Sequence, residues 1–128
     1  MSIGADAHVE AVMTTPVKTI SADATLREAA SRMRSHDIRS LLVPGAETGT
    51  ITSTDILDAV ADDRDVDQNS VEDVMTAGIE WVGTDLRLQE AAAMMTNFGI
   101  NHLPVRDDDG DYVGMVSSTD LNEILADS

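Results

Sequence analysis

The feature that most limits how this chain folds is that it contains itself twice. Set Val12-Met13-Thr14 against Val74-Met75-Thr76, an offset of 62, and residues 12–43 match residues 74–105 without gaps at 12 of 32 positions. The identities are Val12, Met13, Thr14, Asp23, Leu26, Glu28, Ala29, Ala30, Met33, Ile38, Leu41 and Val43. A three-residue insertion in the second copy moves the offset to 65, and Gly49, Ser53, Thr54 and Asp55 then match Gly114, Ser118, Thr119 and Asp120. Self-similarity at a fixed period marks a duplicated supersecondary unit. One copy alone buries too little surface to be comfortably stable. Two copies packed about a pseudo-two-fold axis would share a core, and the clefts between them would be natural binding sites.

Each copy predicts the same element order, β-α-β-β-α, hence an α/β (α+β) fold. Val17–Ile20 and Ile79–Val82 read as short extended pieces. A helix follows in each. Leu26, Ala29, Ala30 and Met33 fall on one helical face, as do Leu88, Ala91, Ala92 and Met95. Thr25 and Glu28 predict a capping box, whereas Arg87 stands in the place of the capping threonine. The helices end near His36-Asp37 and Phe98-Gly99, with Gly99 suited to the left-handed position. Strands over Ile38–Val43 and Ile100–Val105 come next, then a turn, a third strand, and closing helices from Thr54 and Thr119.

The expected division is a lead-in segment over 1–11, repeat one over 12–62, a linker over 63–73 and repeat two over 74–128. Residues 5–12 read either as a short helix with Val9 and Val12 on one side or as a loose terminus. Residues 62–71 are polar and aperiodic, as a linker would be.

The closing stretches, Gly49–Asp55 and Gly114–Asp120, carry the candidate chemistry. Hydroxyls and backbone N–H groups at a helix start supply directed donors for a phosphate without net charge. An ionised carboxylate, Asp55 or Asp120, can accept from two vicinal ribose hydroxyls. The same residue types are also the usual helix N-caps, and for one copy alone that reading is the stronger. The recurrence of the whole pattern at matched places favours a ligand. Arg39 with Ser40, and Asn101 with His102, stand at the start of the middle strands, where they face either a phosphate or solvent.

Composition excludes several classes. There are 24 acidic and 8 basic residues, for a net charge of −16. A polyanion partner needs a basic patch, so nucleic acid is not expected. The acids are spread among periodic apolar residues, which argues for a solvated surface and against a disordered tail. At about 1 M salt the Debye length is roughly 3 Å, and self-repulsion is screened. The composition resembles that of halophilic proteins and predicts a fold that loosens at low salt. The chain has no Cys, and its histidines have no metal-ligand spacing, so no metal is expected. Asp107–Asp111 and Asp63–Asp67 lack the glycine and glutamate of a calcium loop and read as turn and linker. No run approaches the roughly 18 apolar residues of a membrane span, and no signal peptide is evident, so a cytoplasmic protein is expected. Nothing assembles a nucleophile, a base and an orienting group, so no catalytic residues and no enzyme activity are expected.

The doubled order of Val-Met-Thr, Leu-x-x-Ala-Ala-x-x-Met, Leu-Pro-Val and Gly-x-Val-Ser-x-x-Asp resembles a tandem pair of cystathionine β-synthase (CBS) domains, a Bateman module, over about residues 10–127. The resemblance implies a regulatory module, with no required cofactor, that binds AMP, ADP, ATP or S-adenosylmethionine in clefts between the repeats. Asp55 and Asp120 would hold ribose hydroxyls. Thr52 and Ser117 would face phosphate, with Thr54 and Thr119 beside them. Arg39, Ser40, Asn101 and His102 sit where phosphate contacts lie in the family. Ala22 and Ile38, and Thr84 and Ile100, would line the adenine. The family commonly dimerises through helices, so a homodimer is expected, signalling to an effector protein. The alternative is a dimerisation scaffold with vestigial, empty clefts. Leu42 and Gly78 depart from the prolines seen at Pro104 and Pro16, and neither change removes an expected contact. The scarcity of positive charge, Arg39 and His102 in the expected sites, favours AMP or cationic S-adenosylmethionine over ATP.

Overall fold

The structure is a computed structural model that describes residues 7–126. The fold is mixed α and β, as the doubled pattern predicts, with two three-stranded sheets. Two compact units divide the chain. Lys18–Ile79 forms the first, and the stretches on either side of it, up to Val17 and from Glu80, form the second.

In the first unit Ile20 donates its N–H to Leu42 O at 2.9 Å and Leu42 donates to Lys18 O at 3.0 Å, so the opening extended piece runs parallel to the next strand. Helix α1 spans Leu26–His36. Its apolar stripe is the expected one: Leu26, Ala29 and Met33 are buried. The predicted capping box is half formed. Thr25 Oγ1 accepts the Glu28 N–H at 3.1 Å, but no bond returns from the Glu28 side chain, which is exposed to water. Asp37 ends the helix in the left-handed region at φ 53°. Strands β1 (Ser40–Val43) and β2 (Gly49–Thr52) pair antiparallel, and β2 runs directly into α2 (Ser53–Ala61). A four-residue helix α3 (Val71–Val74) and a strand β3 (Thr76–Ala77) complete the unit, with β3 antiparallel on the far edge of β2. Residues 63–73, expected as a linker, are thereby tied into this unit. Val71 is fully buried, Val66 packs on the core, and Arg27 grips Asp67 through two bonds of 2.5 and 3.0 Å.

That grip fixes a pH response. The Arg27 hydrogen bond holds the Asp67 carboxyl below the usual carboxylate range. A depressed folded pKa gives stability that is present above the unfolded value and lost as pH falls through the folded one. We expect Asp67 to titrate below the usual carboxylate range by NMR, and Arg27→Ala to return it to that range. An unchanged midpoint would contradict the pairing.

The second unit repeats the plan. A single 3-10 turn, Val9–Ala11, buries Val9 completely. Strand β4 (Val82–Gly83) runs parallel to β5 (His102–Arg106), which pairs antiparallel with β6 (Tyr112–Ser117). Helix α4 (Leu88–Phe98) ends at Gly99 with φ 65°, and α5 spans Ser118–Ala126. The three-residue insertion lies in the β5–β6 hairpin. There the Asp107 carboxylate accepts the N–H groups of Asp109 and Asp111, and the Arg106 guanidinium lies 4.5 Å from the Trp81 ring centroid and 5.3 Å from that of Tyr112.

The two cores obey the repeat. Ile20, Leu26, Ala29, Met33, Leu41, Val43 and Ile51 in one correspond to Val82, Leu88, Ala91, Met95, Leu103, Val105 and Val116 in the other. Val71 and Val9 also correspond, but crosswise: each belongs to the unit built on the other copy's sheet. The hydrogen bonds follow the same crossing. Val71 and Glu72 donate to Ala24 O and Ala22 O, while Val9 and Glu10 donate to Leu86 O and Thr84 O. Thr76 pairs with Thr50 of β2, and Thr14 pairs with Met115 of β6.

Candidate ligand site

Each unit gathers one set of the expected residues at the junction between its middle strand and its closing helix. In the first unit Ser53 donates its N–H to Arg39 O at 2.9 Å, and Ser40 stands opposite Thr52 in the ladder. In the second, Ser118 donates to Asn101 O at 2.8 Å, and His102 stands opposite Ser117. This matched bond holds the start of the middle strand against the first turn of the helix. It brings Ile38, Arg39, Ser40, Thr52, Thr54 and Asp55 into one neighbourhood, and Ile100, Asn101, His102, Ser117, Thr119 and Asp120 into the other. Ser53 and Ser118 were absent from the expected set. Their recurrence in the repeat was the available signal.

The two junctions differ in how the helix start is satisfied. Thr52 and Asp55 form a full capping box: the Asp55 N–H donates to Thr52 Oγ1 at 3.2 Å, and the Thr52 N–H donates to Asp55 Oδ2 at 2.8 Å. One carboxylate oxygen of Asp55 is therefore already engaged. In the second unit the Asp120 N–H donates to Ser117 Oγ at 3.1 Å, and the carboxylate makes no hydrogen bond among the described residues. Ser118 Oγ bonds Asn101 Oδ1 at 3.2 Å, which fixes that amide. Both threonine and serine caps accept through their oxygens and keep their O–H for another partner. Arg39 is exposed, and its guanidinium is unpaired among the described residues.

Ala22 and Thr84, expected on the adenine side, are not bonded to these junctions. Their carbonyls accept the N–H groups of Glu72 at 3.0 Å and Glu10 at 3.3 Å. A shallow cavity of about 300 Å³ in the second unit lies between α4 and α5, bounded by Thr96, Ile100, Asn101, Ser118 and Asn122. It takes in two expected residues but none of Thr84, His102, Ser117, Thr119 or Asp120. Among the described residues no group of three or more His, Asp or Glu side chains is placed to hold a metal ion, and no helix is long and apolar enough to cross a membrane.

The CBS domain family model matches residues 9–62 and 71–127, one copy at each junction. The chain belongs to the CBS domain family. Both matches begin upstream of Val12 and Val74, at Val9 and Val71, the buried valines of the crossed segments. An uncharacterised 17.7 kDa protein of Acidianus ambivalens is 36% identical over 122 residues, covering 93% of this chain and 73% of that protein. A homoserine O-acetyltransferase of Methanococcus vannielii is 28% identical over 120 residues, 91% of this chain but 24% of the enzyme. Among solved structures, the CBS domain pair of protein MJ0100 in complex with 5′-methylthioadenosine and S-adenosyl-L-methionine superposes with a TM-score of 0.81 at 28% identity, over 91% of this chain and 93% of that one.

Proposed function

We propose that this CBS pair is a non-enzymatic regulatory module that binds an adenosyl ligand, AMP, ADP, ATP or S-adenosylmethionine, and signals through oligomer or partner contacts. The observation that carries the reading is the doubled junction. The same strand start, hydroxyl cap and carboxylate recur in both units on matched hydrogen bonds. The adenosyl compounds bound by the MJ0100 pair support the ligand class. Asp120 and Asp55 take ribose hydroxyls. Thr52, Thr54, Ser117 and Thr119, with Arg39, Ser40, Asn101 and His102, take the phosphate or its substitute. Ala22, Ile38, Thr84 and Ile100 line the base. With one unpaired guanidinium in the set, a monophosphate or a cationic sulfonium is better served than a triphosphate.

The working state is a cytoplasmic homodimer that contacts an effector protein, in a salt-rich cytoplasm that screens the acidic surface. Leu57 and Val60 on α2 and Phe98 at the end of α4 are 67%, 52% and 55% exposed, which supports a helical interface. The second reading, a scaffold with vestigial sites, draws support from the first unit, where capping already occupies Asp55.

Calorimetry with AMP, ATP and S-adenosylmethionine in molar KCl tests the proposal. Removing a hydrogen bond to a charged group costs about 1.5–3 kcal/mol, so Asp120→Ala weakens binding about tenfold to a hundredfold. Asp55→Ala weakens it less, and also lowers the melting temperature because it breaks a cap worth about 1 kcal/mol. Absence of binding by all three ligands, or indifference to Asp120→Ala, leaves the scaffold reading. Light scattering that reports a monomer in the same buffer removes the dimer.

A further inference from the structure

We propose that residues 7–14 form an exchangeable strap: the track that holds them on the second unit accepts the same residues from a second copy of this chain, giving strand-exchanged dimers.

The chain carries the strap's pattern twice. Val9-Glu10-Ala11-Val12-Met13-Thr14 and Val71-Glu72-Asp73-Val74-Met75-Thr76 differ only at Ala11 and Asp73. Their tracks read them by the same main-chain bonds. Val9 donates to Leu86 O and Val71 to Ala24 O, each at 2.8 Å, and Leu88 and Leu26 donate back to Ala7 O and Asn69 O at 2.9 and 3.1 Å. A buried valine anchors each strap. Recognition of this kind, by backbone bonds and one side-chain pocket, is strand addition, and nothing in it depends on which chain supplies the strand.

The two straps are not held equally. The one at 69–76 has extra clamps. Ser70 N–H and Oγ donate to Asp73 Oδ2 at 2.9 and 3.2 Å, and Arg27 grips Asp67. A further ladder pair joins Gly49 to Ala77. The strap at 7–14 has none of these among the described residues. His8 makes no side-chain cap, and Ala11 stands where Asp73 closes the other cap. It is the weaker of two equivalent straps and opens first. A second copy remakes every contact that opening breaks, so closed and exchanged forms differ mainly through chain entropy and concentration. High salt favours the exchange, because two chains of −16 repel otherwise.

The test is independent of the ligand reading. The chain has no cysteine. His8 and Arg87 are exposed and face each other as an isolated antiparallel pair flanked by two bonds, the close spacing that suits a disulfide. Chains carrying His8→Cys are mixed with chains carrying Arg87→Cys in molar KCl, oxidised, and analysed by mass spectrometry. Exchange predicts heterodimers about tenfold above the 8–8 and 87–87 dimers. A statistical mixture overturns it. Hydrogen exchange on the unsubstituted protein gives a second readout. The amides of Val9, Glu10 and Leu88 should exchange about tenfold faster than those of Val71, Glu72 and Leu26, a tenfold ratio being what about one missing cap confers. Equal protection of the two sets overturns the strap as the weaker of the pair.

Discussion

Gly49→Ala destabilises the chain far more than Gly114→Ala, although the two glycines are equivalent in the repeat. A Cβ on Gly49 would lie 2.5 Å from the Thr76 carbonyl oxygen and 3.3 Å from both Thr76 C and Met75 Sδ. Thr76 is main chain locked in the β2–β3 ladder, so it cannot rotate away. The strand must separate or the sheet must bend. Overpacking of this kind costs about 3 kcal/mol, the upper part of its usual range. For a unit of this size, that is a fall in melting temperature of about 12–24 °C. The three atoms nearest a Cβ on Gly114 all belong to the Met13 side chain, Sδ at 2.5 Å, Cγ at 2.7 Å and Cβ at 3.1 Å. Methionine is unbranched and re-packs, so the loss there is about 1 kcal/mol. A double-mutant cycle separates the cases. Met13→Ala offsets much of the Gly114→Ala loss, whereas Met75→Ala recovers little of the Gly49→Ala loss, because the obstacle is backbone. Thermal melts followed by circular dichroism check both, and equal losses for the two glycines would contradict the geometry.

Those glycines also show where the sequence stopped being legible. The offset of 62 identifies which residues are equivalent, and the core pairs Leu26/Leu88 and Met33/Met95 follow from it. Helix ends were legible too, because Gly99 suits the left-handed region, and Asp37 adopts it at the matched place. What the repeat could not say is whose sheet each Val-Met-Thr piece joins, because an alignment of two copies is unchanged when they trade edges. The glycines opening the repeated stretch therefore read as part of a ligand loop, whereas their hydrogen side chains also make room for Thr76 and Met13. The signal that would have extended the repeat was present: at the same offset Val9-Glu10 matches Val71-Glu72. At the junctions, residue identity showed the shared hydroxyl and carboxylate. It could not show that Asp55 turns back on Thr52 while Asp120 does not, since both choices are compatible with one pattern.

Melting temperature rises by about 10 °C or more between 0.01 M and 1 M KCl. The cause is the near absence of charge pairing. With 24 acidic residues against 8 basic ones, the lysine and arginines among the described residues form a single ion pair, Arg27 with Asp67. The excess acids are therefore neutralised by the solvent or not at all. Two unit charges 20 Å apart in water repel by about 0.2 kcal/mol. Across a net charge of −16 the folded chain gathers many such pairs that the expanded chain relaxes, a penalty of several kcal/mol. The Debye length falls from about 30 Å at 0.01 M to about 3 Å at 1 M, which removes nearly all of it. The hairpin offers the discriminating variant. Asp108 and Asp109 are exposed beside Asp107 and Asp111, and neither side chain makes a hydrogen bond among the described residues. Asp108→Asn with Asp109→Asn should raise the melting temperature at 0.01 M KCl and leave it unchanged at 1 M, because only the unscreened repulsion is relieved. A general effect of salt on hydrophobic burial would move both proteins alike, and a flat salt profile for the natural sequence would refute the repulsion outright.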